Sequence, residues 1–436
     1  MALSAELTIK LLGAIETDSL VFLCGAGLSI PSPSYLPSAV RVAQICYDKW
    51  QSTEALNAAL RNDVDQLAGH FYGRGDFDVF LHLVPWNELA GSPNRGHAAV
   101  GDLLVSRAAH AAMSANFDTM VERWAAELKV AMRGALTGQE AVEFAATSSP
   151  LIKFHGCMQR EPAATLWTQG QLAEPDVQAR IQSLTQWMTL HLPNKHLVVV
   201  GFWTDWGYLN DVIAAAFTIN TAHSVTVIDP APTADLQTKA PNLWAKLTGL
   251  SQTFEHVQAS AADVLDELRA AFSRSWARKF YVLAAPMANA AGFQVNASAD
   301  TLSGMDLYNL RRDVEGLPYT RAATLKQPPA GAAEAALMYS ELVNAGAALR
   351  GAWLSHGGRT IRIVNGAGQG LADVRERYLE PATIDQSDIV VCAGAVDLGV
   401  PAALIASGHG ASIMRPAPGG GALWLTRQQA HAELGL

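Results

Sequence analysis

The sequence predicts an open, doubly wound parallel sheet of the Rossmann-like α/β class, with a helical insertion, over residues 1–280, and a smaller α/β or mixed domain over residues 281–436. Three observations predict this. Leu20–Cys24, Leu197–Val200 and Val225–Ile228 are short apolar runs that lead straight into Gly or Asp, the pattern of strands buried on both faces. Stretches with apolar residues three and four apart separate them, and strand–helix alternation with Gly turns builds parallel sheets. Beyond residue 280 the composition shifts towards Ala, Gly and Pro, with strand-like runs at Thr360–Val364 and Asp388–Cys392.

In chain order, Leu7, Ile9, Leu11, Leu12 and Ile15 form an imperfect helical stripe within residues 1–19, broken by Asp18-Ser19 before the first strand. Pro31, Pro33 and Pro37 forbid an immediate helix after that strand. The next fifty residues alternate helical segments with the Gly73-Arg74-Gly75-Asp76 turn, which reads as the helical insertion capping the site. Pro93-Asn94 opens a helix to about Ala108, and Ala111–Ala115 is the next strand. Met120, Val121, Trp124, Leu128 and Met132 predict an amphipathic helix from Asp118 to about Met132. A helix over 176–192 precedes the strand at Leu197, and a helix from Ala261 to Ser273 closes the first domain, with the boundary near 280. Lys326–Gly331 and Pro416–Gly421 read as loops, and no internal repeat has a fixed period.

A length of 436 residues favours two or three domains. Half the residues are hydrophobic and 16% are charged, the composition of a globular protein. The formal net charge of −9 argues against broad attraction to nucleic acid, so no direct nucleic-acid partner is expected. Cys24, Cys46, Cys157 and Cys392 form no Cys-x-x-Cys pair, which disfavours a zinc knuckle and a disulfide framework and fits a reducing cytoplasm. The N-terminus lacks the layout of a secretory signal, and no apolar run reaches the roughly 20 residues that cross a membrane.

Several strand ends carry chemistry. Gly25-Ala26-Gly27, directly after a buried strand, lets the backbone approach a pyrophosphate where side chains would collide; a Gly-x-Gly turn also serves plain geometry. Ile30 stands where a third glycine would complete the dinucleotide fingerprint, which disfavours an ordinary hydride-transfer site. Asn116 and Asp118 read as helix caps or as ligand-facing groups. His155 reads as a satisfied core histidine or as a group suited to move a proton near neutral pH. Asp229 is a turn former or an acceptor for ribose hydroxyls. Further on, Ile361–Gly370 is a strand running into a Gly-rich turn, read as a surface turn in preference to a second nucleotide site.

In their order, Gly25-Ala26-Gly27-Leu28-Ser29, Pro93-Asn94-Arg95-Gly96-His97, Asn116-Phe117-Asp118, Lys153-Phe154-His155-Gly156 and Gly201-Phe202-Trp203-Thr204 resemble the sirtuin family over roughly residues 15–275. The resemblance is closer to its prokaryotic anti-phage branch. Deacylases carry a four-cysteine zinc module after the His-Gly segment, whereas Cys157–Val200 holds a single cysteine, and Lys153-Phe154-His155-Gly156-Cys157 is similar to a segment of the defence branch. The resemblance implies NAD as substrate and no metal. It implies that Gly25, Ala26, Gly27 and Ser29 hold the pyrophosphate and nearby ribose, that Asn116 and His155 do the chemistry, and that Asp118 orders the nicotinamide pocket. Gly201 and Thr204 would line the adenosine side and Asp229 would lie near the adenine ribose. Trp203 departs from the family, standing where a small hydroxyl residue is common.

The implied activity is an NAD+ glycohydrolase releasing nicotinamide and ADP-ribose, the effector of abortive infection, held inactive until a trigger or partner acts. Breaking the nicotinamide–ribose bond builds an oxocarbenium-like transition state, for which a dry, polar pocket and a positioned water suffice. Expected partners are NAD+, further copies of this chain, and a defence-system subunit such as a sensor, an ATPase or a short Argonaute, with residues 281–436 as the regulatory or docking region. The alternatives are an NAD-dependent protein deacylase, disfavoured by the missing zinc module, and a non-catalytic NAD-binding subunit, disfavoured by the Asn116–His155 pair.

Overall fold

The structure, a computed structural model, describes residues 3–127, 130–216, 222–251, 253–295, 300, 302–315, 326–351, 353–377, 387–397 and 422–436. The chain divides into two compact units, Met1–Arg269 and Ala270–Leu436, the division falling within the helix Ala261–Val282.

In the first unit, seven parallel strands form one sheet: β1 (Leu20–Cys24), β2 (Ala111–Ser114), β3 (Gly134–Ala135), β4 (Leu151–Lys153), β5 (His196–Val200), β6 (Ser224–Asp229) and β7 (Phe254–Gln258). Their order is β3-β4-β2-β1-β5-β6-β7. All five residues of β1 are buried, as the apolar run requires. The chain leaves β1 for β2 on one side and later enters β5 on the other. That reversal makes the carboxyl ends of β1 and β5 the topological switch point, where open α/β sheets bind ligands.

The first helix, Ala5–Glu16, buries Leu7, Leu11, Ala14 and Ile15 and leaves Ile9 exposed, which resolves the imperfect stripe. Asn94 caps the helix Arg95–Val105 through a capping box with His97. Two helices depart from expectation. The one after Asp118 is described over Met120–Glu127, and Val130 and Met132 are buried outside it, because the chain must reach Gly134 in β3 within a few residues; Leu128 lies outside the described residues. The helix from Ala261 runs on past Ser273 to Val282, since Phe272, Trp276 and Phe280 continue its apolar stripe at intervals of four.

The insertion consists of helices Ala39–Trp50, Val64–Gly73 and Phe77–Leu83. It has an aromatic core of its own, in which Tyr47, Phe71 and Phe80 pack with Trp167. The Phe80 and Trp167 rings meet edge-on at 5.6 Å, as do Trp50 and Phe71.

The second unit holds a five-stranded mixed sheet, ordered β12-β11-β10-β9-β8, from β8 (Ala348–Arg350), β9 (Trp353–His356), β10 (Arg359–Asn365), β11 (Ile389–Ala393) and β12 (Leu423–Thr426). The strands β10, β11 and β12 are parallel, and β8 and β9 form an antiparallel edge. Arg362 of β10 pairs bidentately with Asp313, both 3% exposed, at 2.8 and 2.5 Å. The Gly-rich turn after β10 is not an open cradle. The amides of Gly366, Gly368 and Leu371 donate to the carbonyls of Ala393, Gly394 and Val396, and that of Ala367 donates to Asn365 Oδ1. The turn is thereby docked on the neighbouring one, with these four donors engaged. Pro416–Gly421 lies outside the described residues. Among the described residues, no helix is long and apolar enough to cross a membrane.

Candidate functional site

Register lines up the carboxyl edge of the first sheet. Lys153 pairs with Ser114, Ser114 with Cys24, Cys24 with Val200, and Val200 with Ile228. His155, Asn116, Gly25, Gly201 and Asp229 therefore follow one another along a single rim, each one or two residues past its paired position. From β4 to β6 there are four strand spacings, about 19 Å in all, the reach of an extended dinucleotide.

The glycines at the switch point are demanded first by the protein itself. Gly25 and Gly27 donate their amides to the carbonyls of Val200 and Gly201, at 3.0 and 2.9 Å. A Cβ on Gly25 would lie 2.5 Å from Phe202 Cα, and one on Gly27 2.8 Å from Gly201 Cα. Gly201 has φ +60°, and a Cβ there would overlap the Leu28 amide. The two loops thus interlock backbone to backbone, with Ala26 exposed at the tip and Gly27 half-buried. Gly201→Ala is expected to lower the unfolding free energy by at least about 2 kcal/mol, combining left-handed backbone strain with a main-chain clash. Chemical denaturation checks this; a loss under about 0.5 kcal/mol would place the substitution among neutral surface changes.

Ser29, on the 3-10 turn Ala26–Ser29, is the centre of a buried polar chain. The Asn94 amide donates to His97 Nδ1 at 3.2 Å, so Nε2 carries the ring proton and donates to Ser29 Oγ at 3.0 Å. Ser29 Oγ in turn donates to Asp118 Oδ2 at 2.9 Å. Burial pushes His97 down to about 4, against the pull of Asp118, so this tautomer is neutral near pH 7. Asn116 Nδ2 donates to Gly25 O at 3.1 Å and to Ser29 Oγ at 3.3 Å, leaving Oδ1 as the acceptor end of its amide. Asp118 also caps the following helix, its Oδ1 accepting from the Met120 amide at 3.1 Å, so the cap and site readings of this residue coexist.

The strand before His155 is bolted to the same turn. Lys153, 1% exposed, donates to the Asp118 carbonyl and pairs with Glu122 Oε1 at 2.9 Å. Burial works against its charge, yet Glu122 outweighs it, with Cys157 and Asp118 adding, and the amine stays above the ordinary lysine range. Gly134 is required beside it, since a Cβ there would overlap the lysine stem.

His155 is half-buried in accessible area, but its ring is packed between neighbours. Trp206 lies against it at 5.6 Å and Phe154 at 5.2 Å. Burial, then the charge of Arg180, pushes His155 down to about 3, opposed by a hydrogen bond with the Ala115 main chain. The ring is therefore a neutral, weakly basic imidazole at pH 7. Behind it, Leu166 donates its amide to the His155 carbonyl at 2.9 Å. Gly156, at φ +95°, lies against this strap: a Cβ would be 3.0 Å from Thr165 Cα.

Thr204 and Asp229 complete the predicted positions. Thr204 is half-buried in the loop after Gly201, between two anchored neighbours. Trp203 Nε1 donates to Leu236 O at 2.8 Å, and Asp205 accepts from the Leu243 amide at 2.9 Å and from Asn242 Nδ2 at 2.8 Å. The departure at Trp203 thus has a packing role. Asp229, half-buried at the end of β6, accepts the Ala231 amide on Oδ1 at 2.8 Å, forming an Asx turn. Sequence reasoning missed Trp206, Arg180 and Glu122 altogether. No local pattern announces them, because each meets the site through tertiary contact.

No protein-family model matches the chain, and no curated protein matches it. Solved structures to which it is similar include a Sir2 homolog–NAD complex, at 17% identity over 60% of this chain and 91% of that one, with a TM-score of 0.37. Another is Sir2 bound to an acetylated peptide, at 13% identity over 61% of this chain and 97% of that one, with a TM-score of 0.35.

Proposed function

We propose that the chain is an NAD+ glycohydrolase that releases nicotinamide and ADP-ribose at the carboxyl edge of β4, β2, β1, β5 and β6. The observation that carries this reading is the pairing, on adjacent strands, of the tethered Asn116 amide with a neutral His155 beside the interlocked Gly25–Ser29 turn. In this reading Ala26 and Gly27 face the pyrophosphate and nearby ribose, Ser29 sits buried behind them and holds Asn116 and Asp118 in place, Thr204 lies by the adenosine and Asp229 by its ribose. Nicotinamide is a good leaving group, so the protein has chiefly to stabilise a ribosyl cation and present water to it. Asn116 Oδ1 suits the positioning of that water. An imidazole as weakly basic as His155 does not store a proton at pH 7; it suits accepting a hydrogen bond from a ribose hydroxyl and polarising it.

Uncontrolled cleavage of NAD+ would kill the producing cell, so the same reading assigns the chain to an abortive-infection response in the cytoplasm, with residues 281–436 as the region that senses a trigger, docks a defence subunit or joins copies of the chain. The test is chromatography of purified chain mixed with NAD+ and no acylated peptide. Nicotinamide and ADP-ribose are the expected products; turnover that appears only when an acylated peptide is added would replace the proposal with a deacylase.

A further inference from the structure

We propose that Arg180 is a positioning residue for His155: from the helix Pro175–His191 it clamps the strap Ala164–Leu166 under the His155-Gly156 turn and supplies the positive charge that this imidazole faces. The inference rests on the role given to His155 above. Arg180 is 8% exposed, and a guanidinium so enclosed carries a desolvation penalty that surface arginines avoid. Its Nη1 donates to the Ala164 carbonyl at 2.9 Å. That carbonyl is one of the atoms that press on Gly156, 3.2 Å from where a Cβ would be. Two residues along, Leu166 is bonded to the His155 carbonyl.

The far side of the strap is braced as well. Thr165 Oγ1 accepts from Trp167 Nε1 at 2.7 Å, and the Thr165 carbonyl accepts from Gln171 Nε2 at 3.0 Å. Arg180 thus closes a frame around the turn that carries His155. The ring is also faced by Trp206 from the loop after β5, by Phe154 on its own strand and by the Ala115 main chain after β2, none of which is charged. After burial, the charge of Arg180 is what lowers its proton affinity. A fixed cation beside an imidazole penalises a second positive charge, which keeps the ring an acceptor.

The test follows the imidazole signal of His155 by NMR in the full chain, from pH 8 downward, assigned by its loss in His155→Asn. It needs no turnover, so it stands or falls separately from the glycohydrolase reading. Arg180→Gln is expected to raise the proton affinity of His155 at least about tenfold, one pKa unit. Arg180→Met carries the same expectation if the glutamine variant does not fold, and Arg180→Lys, which keeps the charge, leaves the titration near wild type. In any NAD+ turnover profile the acid limb moves to higher pH in Arg180→Gln, because the ring protonates sooner as pH falls. An unchanged His155 titration in a folded, uncharged variant overturns the proposal.

Discussion

Asn116→Ala is expected to lower NAD+ turnover by about a hundredfold to a thousandfold, the loss typical of removing one oriented polar group from a preorganised site, while NAD+ affinity changes little. The reasoning starts from the amide's division of labour. Its nitrogen holds Gly25 O and Ser29 Oγ, and its oxygen is the end left for a water. Truncation removes both functions. Two lost hydrogen bonds lower stability by about 1–3 kcal/mol, so the variant is measured under conditions where it is folded. Product chromatography gives kcat and calorimetry gives Kd. Retained turnover would remove Asn116 from the chemistry, and affinity falling in step with rate would make it a binding group only. Asn116→Asp separates the ends further, since it keeps an acceptor oxygen but loses the donors to Gly25 and Ser29.

The largest structural effect is expected at Lys153. Lys153→Met leaves Glu122 enclosed without its cation and the Asp118 carbonyl without its donor, and breaking a buried ion pair in this way typically costs about 3–5 kcal/mol. The double variant Lys153→Met/Glu122→Leu removes the stranded charge and should recover most of that loss. Urea unfolding of the full chain measures the wild type and both variants. A single-variant loss under about 1 kcal/mol, the value of an exposed pair, would mean that water reaches the couple freely. Because the pair also fixes the main chain at Asp118, turnover should fall further in the double variant than its recovered stability suggests.

The fold was legible where burial dictates residue type on both faces. β1 and β5 are central strands, so nearly every residue is apolar and each run announces itself, and in β6 Val225, Val227 and Ile228 carry the signal. The edges were not legible. β3 is two residues long, and β7, Phe-Glu-His-Val-Gln, is half-buried over its first four residues, exposed at Gln258, and carries no apolar run. At the site, the ordered short motifs marked which strand ends matter. They could not reveal that Glu122 reaches Lys153 from 31 residues away, or that Arg180 holds the strap behind His155. For Gly25 and Gly27 the sequence leaves ligand clearance and plain turn geometry both open, and the structure gives the geometric duty: with Gly201 they let two loops share the space of their missing side chains.

Phe117 sits between Asn116 and Asp118, and its ring points the other way from their chemistry, into the helical insertion. It lies 4.6 Å from Trp167 and 6.2 Å from Trp86, and its carbonyl accepts the Met158 amide at 2.9 Å. The insertion cannot open by local unfolding without withdrawing aromatic partners from the residue that separates the two polar groups. Hydrogen exchange would therefore find the amides of residues 39–83 and those of the Asn116–Asp118 turn released together, as one cooperative unit. Whatever loosens the insertion reaches the site at once, and whatever occupies the site lends its binding energy to the insertion.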